Sequence, residues 1–146
     1  MRLTLYTDYS LRVLIFLAAK PKGERSTVTE ISESFRISKN HLTKVVHELG
    51  KAGFIETVRG RGGGIQLKVS PNLINVGNVV RQTEDDFQLV ECFNRESNQC
   101  VLAPACQLKG VLQEALHAYL AVLDRYTIED FVQNKDEIGM LLFPRT

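Results

Sequence analysis

The stretch from Ser38 to Val69, SKNHLTKVVHELGKAGFIETVRGRGGGIQLKV, changes its hydrophobic period halfway along. Its first half predicts a helix that Ser38 caps and that ends near Gly53, because glycine commonly takes the left-handed conformation after a helix. Apolar residues recur there at spacings of three and four, at Leu42, Val45, Val46 and Leu49. The second half alternates apolar and polar residues on both sides of GRGGG, so it predicts a β-hairpin with a long, basic, glycine-rich tip.

Two further helices are predicted upstream of this stretch. The segment Thr27-Val28-Thr29-Glu30 has the spacing of a capping box and begins a short helix that runs to about Phe35. Residues 7–20 predict a buried helix, with Thr7 as its N-cap and Asp8 in the first turn, where the helix dipole favours an anion. Two helices separated by a tight turn and followed by such a hairpin predict a winged helix-turn-helix.

The chain downstream of the hairpin predicts further helices. Residues 75–83 form a short one, with Asn75 as the cap and valines at helical spacing. Pro104 begins a long helix that runs to about Tyr126, and Thr127 caps a last helix containing Phe131 and Val132. The tail from Lys135 is amphipathic and carries no prediction.

The long helix carries a continuous apolar stripe. Its members are Leu108, Val111, Leu112, Ala115, Leu116, Tyr119, Leu120 and Leu123. A helix of this kind, lying beyond a small domain, needs another surface to cover it, and the same helix of a second copy is the economical choice. Packing against the chain's own first helix is the alternative, and the two arrangements are compatible.

These elements define a mainly α fold with one small β-hairpin, built as a winged helix-turn-helix plus a long dimerisation helix. We divide the chain into a winged helix-turn-helix domain at residues 1–74, a connecting helix and cysteine loop at 75–106, and a dimerisation helix with a C-terminal helix at 107–146. The longest apolar run, residues 13–19, is too short to span a bilayer, and the first residues lack a cleavage pattern. We therefore expect a cytoplasmic protein without a membrane partner.

Charge is distributed unevenly along the 146 residues. Residues 1–68 contain twelve Lys and Arg against six Asp and Glu, whereas residues 69–146 contain six against eleven. The net charges of +6 and −5 are concealed by a total of +1. A basic half beside an acidic half indicates that one face meets a polyanion.

Double-stranded DNA is the polyanion that this fold predicts. A recognition helix contacts bases through its N-terminal turns, and an arginine on a thin hairpin can enter a narrow minor groove. We expect DNA contacts from the second helix, the recognition helix and the wing, at Thr29, Ser38, Lys39, Asn40, His41, Thr43, Lys44, Arg59, Arg61 and Gly62. A solvated helix face and a flexible loop without a partner are the alternatives, but neither calls for arginines at the tip.

All three cysteines lie between Glu91 and Cys106, with seven and then five residues between successive sulfurs. An odd number argues against a structural disulfide framework. Three thiolates on one loop can hold an iron–sulfur cluster, or a zinc ion together with His117, or two of them can form a redox switch. His117 falls about three turns into the long helix, well away from Cys106. Spacing and composition leave the three alternatives open.

Four segments resemble a known family. TDYSLRVLIFLA (7–18), ISKNHLTKV (37–45), VRGRGGGI (58–65) and the cysteine loop ending in PACQL (104–108) resemble the NsrR-type nitric-oxide-sensing repressors, which belong to the winged-helix iron–sulfur regulators that include the IscR type. The resemblance covers essentially the whole chain. It implies a homodimer that binds its operator while a [4Fe–4S] cluster is intact and releases it when nitric oxide attacks the cluster; a [2Fe–2S] cluster is the alternative.

The resemblance also implies the cluster ligands. These are Cys92, Cys100 and Cys106, with Asp8 of the Thr-Asp-Tyr motif as a fourth ligand from the other subunit. The IscR type has a histidine ligand three residues beyond its third cysteine, but Lys109 occupies that position here, which favours Asp8. The alternative role for Asp8 is an ion pair with Arg12 on the same helix.

Two other functions remain as alternatives. The first is a regulator of cluster-assembly genes that responds to cluster status, and the second is a small iron–sulfur electron-transfer protein, which would not explain the basic wing. We do not expect an enzyme, because the sequence lacks a serine–histidine–acid, metal-hydrolase or phosphate-loop pattern.

Overall fold

The computed structural model describes residues 1–144 and contains six α-helices and one two-stranded antiparallel sheet within them. In chain order these are α1 (Leu5–Ala19), α2 (Val28–Phe35), α3 (Lys39–Lys51), β1 (Ile55–Val58), β2 (Gly64–Leu67), α4 (Val76–Thr83), α5 (Gln107–Leu123) and α6 (Lys135–Leu142). Short 3₁₀ turns lie at Pro71–Leu73, Glu91–Phe93, Ala103–Ala105 and Ile128–Phe131. None of the helices described is long and apolar enough to cross a membrane.

The helix-turn-helix is confirmed with the predicted caps at α2 and α3. Thr27 and Ser38 each accept a hydrogen bond from the backbone N–H three residues on. At the end of α3, the N–H of Phe54 donates to Leu49 and that of Gly53 donates to Gly50, and Gly53 has a φ of 84°. This is the glycine-dependent helix termination expected from the sequence.

Two predictions about helix caps were wrong. Thr4, not Thr7, caps α1, because the Thr4 side chain accepts from the Thr7 N–H at 3.2 Å and Thr7 itself is buried in the first turn. The capping box at α2 is only half formed: Glu30 does not bond back to the cap, because its carboxylate accepts from Lys20 Nζ at 2.5 Å. Glu30 bonds to Lys20, ten residues earlier, whereas Thr7 lies inside the first turn, three residues after the cap.

The hairpin lies against the same core as the helices. β1 and β2 pair in the register Ile55 to Leu67 and Val58 to Gly64, and Ser26 adds an isolated bridge to Ile65. The core is formed by the inner faces of α1, α3 and α4 together with Ile55 and Ile65. All four predicted apolar residues of α3 are buried, so this face of the recognition helix is fixed by packing.

The long helix is shorter than predicted. Pro104 lies in a 3₁₀ turn, and α5 begins at Gln107 with Cys106 at the N-cap position and ends at Leu123 rather than Tyr126. No residue from 84 to 127 is buried. Leu108 and Val111 are 62% and 59% exposed, whereas Leu120 and Leu123 pack against the core, so the chain covers only part of the stripe.

The C-terminal part of the chain returns to the winged helix. The predicted helix after Thr127 is instead one 3₁₀ turn with a complete capping box between Thr127 and Asp130, and it buries Ile128 and Val132. The tail from Lys135, for which the sequence carried no prediction, forms α6. Phe143 packs edge-on against Phe16 with ring centroids 4.9 Å apart, so the C-terminal end covers the far side of α1.

Candidate nucleic-acid interface and cysteine loop

The recognition helix presents a basic N-terminal end to solvent. Lys39, Asn40, His41, Thr43 and Lys44 are all exposed, and no acidic residue lies in the first turn of α3. The helix dipole places partial positive charge at the same end, so the lysines and the backbone act together on an anion. This surface can bind a phosphate backbone.

Two predicted contact residues already have structural roles. The Ser38 hydroxyl accepts from the His41 N–H at 3.3 Å as the helix cap, and the Thr43 hydroxyl donates to the Lys39 carbonyl at 2.8 Å. Ser38 can still donate its proton, and Thr43 can still accept. Thr29 lies half-buried on α2, near the N-terminus of that helix.

The wing presents its arginines on a constrained tip. Arg59 and Arg61 are exposed and make no ion pair within residues 1–144. Gly62 and its neighbour Gly60 have φ values of 72° and 93°, and a Cβ at Gly63 would lie 2.3 Å from the Val58 carbonyl oxygen. Positive φ favours glycine at positions 60 and 62, and the close carbonyl favours it at position 63, so the glycines permit the turn that the tip takes.

Residues that the sequence did not single out also shape the wing. Arg25 donates to the carbonyl oxygen of Gly62 at 2.8 Å, and the same side chain contacts Gln66. Arg25 lies 37 residues before Gly62, so no local spacing connects the two. The only signal in the sequence was a basic residue in the loop that precedes α2.

The three cysteines lie on a loop built from local turns. Cys92 is in the turn Glu91–Phe93, Cys100 is exposed, and Cys106 stands at the N-terminus of α5; all three thiols are free. Asparagine side chains hold the loop, since Asn94 accepts from Glu96 and Asn98 accepts from Cys100. The loop therefore has little long-range packing to restrict it.

Asp8 makes an ion pair on its own helix. Arg12 Nε and Nη2 donate to the two carboxylate oxygens at 2.9 and 2.8 Å, and both side chains are about two-fifths exposed. The hydrogen bonds to Asp8 raise the pKa of Arg12. The Arg12 guanidinium also lies 5.9 Å from the ring centroid of Tyr9 and 6.0 Å from that of Phe35.

The donor set suits iron in kind and number, but it is not preassembled within one chain. Among residues 1–144, no three His, Cys, Asp or Glu side chains lie close enough together to hold a metal ion. Three soft thiolates on a weakly packed loop match the preference of iron–sulfur clusters, and a carboxylate can complete the set. His117 is not brought to the cysteines, so a zinc site of three cysteines and this histidine is not formed either.

A cleft lies between the N-terminus of the chain, the segment 84–89 and α5. It has a volume of about 440 Å³ and is lined by Arg2, Leu3, Glu84, Phe87, Leu116 and Tyr119, among others. Thr4 closes one end, donating through its N–H and its hydroxyl to Glu84 at 2.8 and 3.0 Å. Burial and, to a smaller extent, the charge of Glu84 raise the pKa of Tyr119.

Comparison with known proteins extends these observations. The model of the Rrf2 family, described as an iron-dependent transcriptional regulator, matches residues 3–134. The HTH-type transcriptional regulator NsrR of Bacillus subtilis is 61% identical over 142 residues, covering 97% of each chain. That of Geobacillus kaustophilus is 50% identical over 145 residues, covering 99% of each.

Solved structures share the fold. The oxidized form of Staphylococcus aureus CymR superposes with a TM-score of 0.73 at 28% identity, covering 91% of this chain and 97% of that one. The IscR of T. potens superposes with a TM-score of 0.75 at 23% identity, covering 96% and 92%. The second likeness concerns the fold alone.

Proposed function

This chain belongs to the Rrf2 family of transcriptional regulators, and we propose that it is a homodimeric repressor that binds operator DNA and senses nitric oxide through an iron–sulfur cluster. The observation that carries the DNA-binding part is the pairing of an exposed, basic recognition-helix end with an arginine-bearing wing of restricted shape. A regulator of this kind works where the chromosome is, which supports a cytoplasmic location.

DNA binding would use two different grooves. The first turns of α3 would enter the major groove, where Lys39, Asn40 and Lys44 can donate to base edges and phosphates. Arg61 at the wing tip would enter the minor groove, whose negative potential attracts a guanidinium. Each phosphate neutralised releases counterions, so affinity should fall steeply as salt is raised.

Dimerisation would cover the stripe of α5. Two members of the stripe, Leu108 and Val111, are 62% and 59% exposed in the single chain, which leaves a large apolar surface without a partner. A second α5 is a self-complementary partner for this face. Two recognition helices related by a two-fold axis would then match a palindromic operator.

The cluster would be held by Cys92, Cys100 and Cys106, with Asp8 from the second copy as the fourth ligand. When bound, it would supply iron that reacts with nitric oxide. Asp8 can leave Arg12 at small cost, because an exposed pair of this type contributes only about 0.3–0.5 kcal/mol. Arg12 would thus offer Asp8 a second partner when the carboxylate is not a ligand.

The test is an anaerobic titration with two readouts. Protein reconstituted with iron and sulfide should show a visible absorbance that nitric oxide bleaches, and fluorescence anisotropy of a labelled duplex should show loss of binding at the same stoichiometry. Cys106→Ser should abolish the absorbance while leaving the far-UV circular dichroism unchanged, since Cys106 is not in the core.

Two variants separate the parts of the proposal. Asp8→Asn should weaken the coupling between cluster and DNA, and Arg12→Ala should reduce the difference in affinity between cluster-bound and cluster-free protein. A colourless reconstituted protein would contradict the cluster, and a bleached protein with unchanged affinity would contradict the switch. Loss of binding on cluster removal but insensitivity to nitric oxide would instead favour a regulator that responds to cluster status.

A further inference from the structure

The outer face of the wing carries a chain of polar contacts that ends at its tip. Glu56 and Gln66 lie opposite each other in the hairpin, and Gln66 Nε2 donates to Glu56 Oε1 at 2.5 Å. Arg25 Nε donates to Gln66 Oε1 at 3.2 Å, and Arg25 Nη1 donates to the Gly62 carbonyl oxygen at 2.8 Å. One guanidinium therefore joins the body of the hairpin to its tip.

Backbone contacts place Arg25 at this position. The N–H of Ser26 donates to Ile65 at 2.9 Å, and the N–H of Ile65 donates back to Ser26 at 2.7 Å. A Cβ at Gly64 would lie 2.9 Å from the Ser26 carbonyl oxygen and 3.0 Å from Arg25 Cβ. The absence of a side chain at Gly64 lets the two segments approach this closely.

The tip needs such a contact because its sequence is rich in glycine. Arg61 stands between Gly60 and Gly62, and glycine loses more backbone conformational entropy than other residues when it is fixed in one conformation. A tip that is already ordered in the free protein does not lose this freedom on binding. Gly62 follows Arg61 directly, so a hydrogen bond to its carbonyl oxygen restricts the backbone that carries the arginine.

We propose that Arg25 is a positioning residue for DNA binding, which braces the wing tip so that Arg61 meets the groove in one conformation. The inference rests on the DNA-binding function proposed for the wing. Lysine cannot replace Arg25 in this role, because a single ammonium lacks the planar fork that reaches Gln66 and Gly62 at once. The contribution is geometric, so it depends on Arg61 and not on charge alone.

The test uses a duplex that the unaltered protein selects from a random pool, with a scrambled duplex of the same length, at fixed salt. Arg25→Ala and Arg25→Lys should each weaken binding of the selected duplex about tenfold, within the range of one specific arginine contact. Lys22→Ala, which removes an exposed charge from the same loop, should change it less than about twofold. Recovery of binding in Arg25→Lys would overturn the proposal.

Non-additivity is the second arm. In an Arg61→Ala background, Arg25→Ala should weaken binding by less than about twofold, because residues that act through one another do not contribute independently. If the fold-change in the double variant instead equals the product of the two single fold-changes, Arg25 contacts phosphate directly and the bracing role is overturned.

Amide hydrogen exchange of the free protein is the third arm. Exchange at Gly62, Gly63 and Gly64 should accelerate in both Arg25 variants while α3 stays unchanged, since Arg25 is exposed and outside the core. Unchanged exchange at the tip would overturn the brace even if affinity fell. If the unaltered protein selects no duplex from the random pool, both the proposed DNA-binding function and the role of Arg25 are wrong. The other negative results contradict only the role of Arg25.

Discussion

Helices α3 and α5 have similar sequence patterns and opposite surroundings. Both repeat apolar residues at spacings of three and four, yet α3 buries all four of its apolar residues and α5 buries none. Periodicity therefore predicts that a segment is helical and which face is apolar, but it does not say what covers that face. This chain covers the whole apolar face of α3 but only part of that of α5, where Leu108 and Val111 stay exposed.

The largest effect should come from a cavity beside α3. Leu42 is completely buried, so Leu42→Ala should lower the free energy of unfolding by about 3–4 kcal/mol at every protein concentration. Urea unfolding followed by circular dichroism measures this change. Leu108→Ala is the matched control on α5, and its effect should shrink as the protein is diluted. A large, concentration-independent loss in Leu108→Ala would show that α5 packs within its own chain.

A charge on the apolar face of α5 should act on assembly rather than on folding. Val111→Lys should weaken the dimer roughly 50-fold, because both copies would bury an ammonium at the interface. Sedimentation velocity over a range of concentrations measures the dissociation constant. Gln113→Lys adds the same charge outside the stripe and should leave the constant nearly unchanged. Equal effects from the two variants would remove α5 as the interface.

The junction between the two regions should show a smaller effect. Thr4 caps α1 and contacts Glu84, the first residue of the segment without buried residues, so Thr4→Ala should cost about 1 kcal/mol. Ser70 also precedes a short helix but makes no capping hydrogen bond, and Ser70→Ala should change stability by less than about 0.5 kcal/mol. Similar losses in both variants would mean that the Thr4 contacts do not stabilise the junction.

The smallest effect concerns the ion pair that ties α5 to α4. Arg81 donates to both oxygens of Asp124 at 2.5 and 2.8 Å and lowers the pKa of that carboxyl. Because the folded-state pKa lies below the unfolded one, the pair stabilises the fold above about pH 4 and the contribution is lost as pH falls through the folded-state value. Asp124→Asn and Arg81→Gln should each lower the midpoint of thermal unfolding near neutral pH, and the difference from the unaltered protein should disappear as pH falls. A midpoint difference that persists at low pH would contradict the assignment.

Much of the winged helix could be predicted from the sequence because its signals are local. The caps Thr27, Ser38 and Asn75 act within three residues of themselves, and Gly53 acts at its own φ angle. Thr7 and Glu30 were predicted wrongly for different reasons: Thr4, three residues earlier, also has a capping side chain and begins the helix sooner, whereas Glu30 bonds to Lys20 at the end of α1.

The candidate site divides in the same way. The apolar residues of α3 mark its buried face, and the remaining residues therefore mark its exposed face. Lys39, Asn40 and Lys44 could be placed on that exposed face from the sequence alone. The brace at Arg25 could not, since it depends on two segments that only the folded chain brings together. The assignment of Cys92, Cys100 and Cys106 to a cluster stays a prediction.

The sequence by itself determined the order of α1 to α5, the hairpin and the inward faces of α3 and α4, because hydrogen bonds and hydrophobic spacing within a few residues specify them. Only the tertiary structure decided that α6 returns to pack on α1, that Arg25 reaches the wing tip, and that α5 has an uncovered face. These features depend on which distant parts of the chain come into contact, and such contacts leave no periodic trace in the sequence.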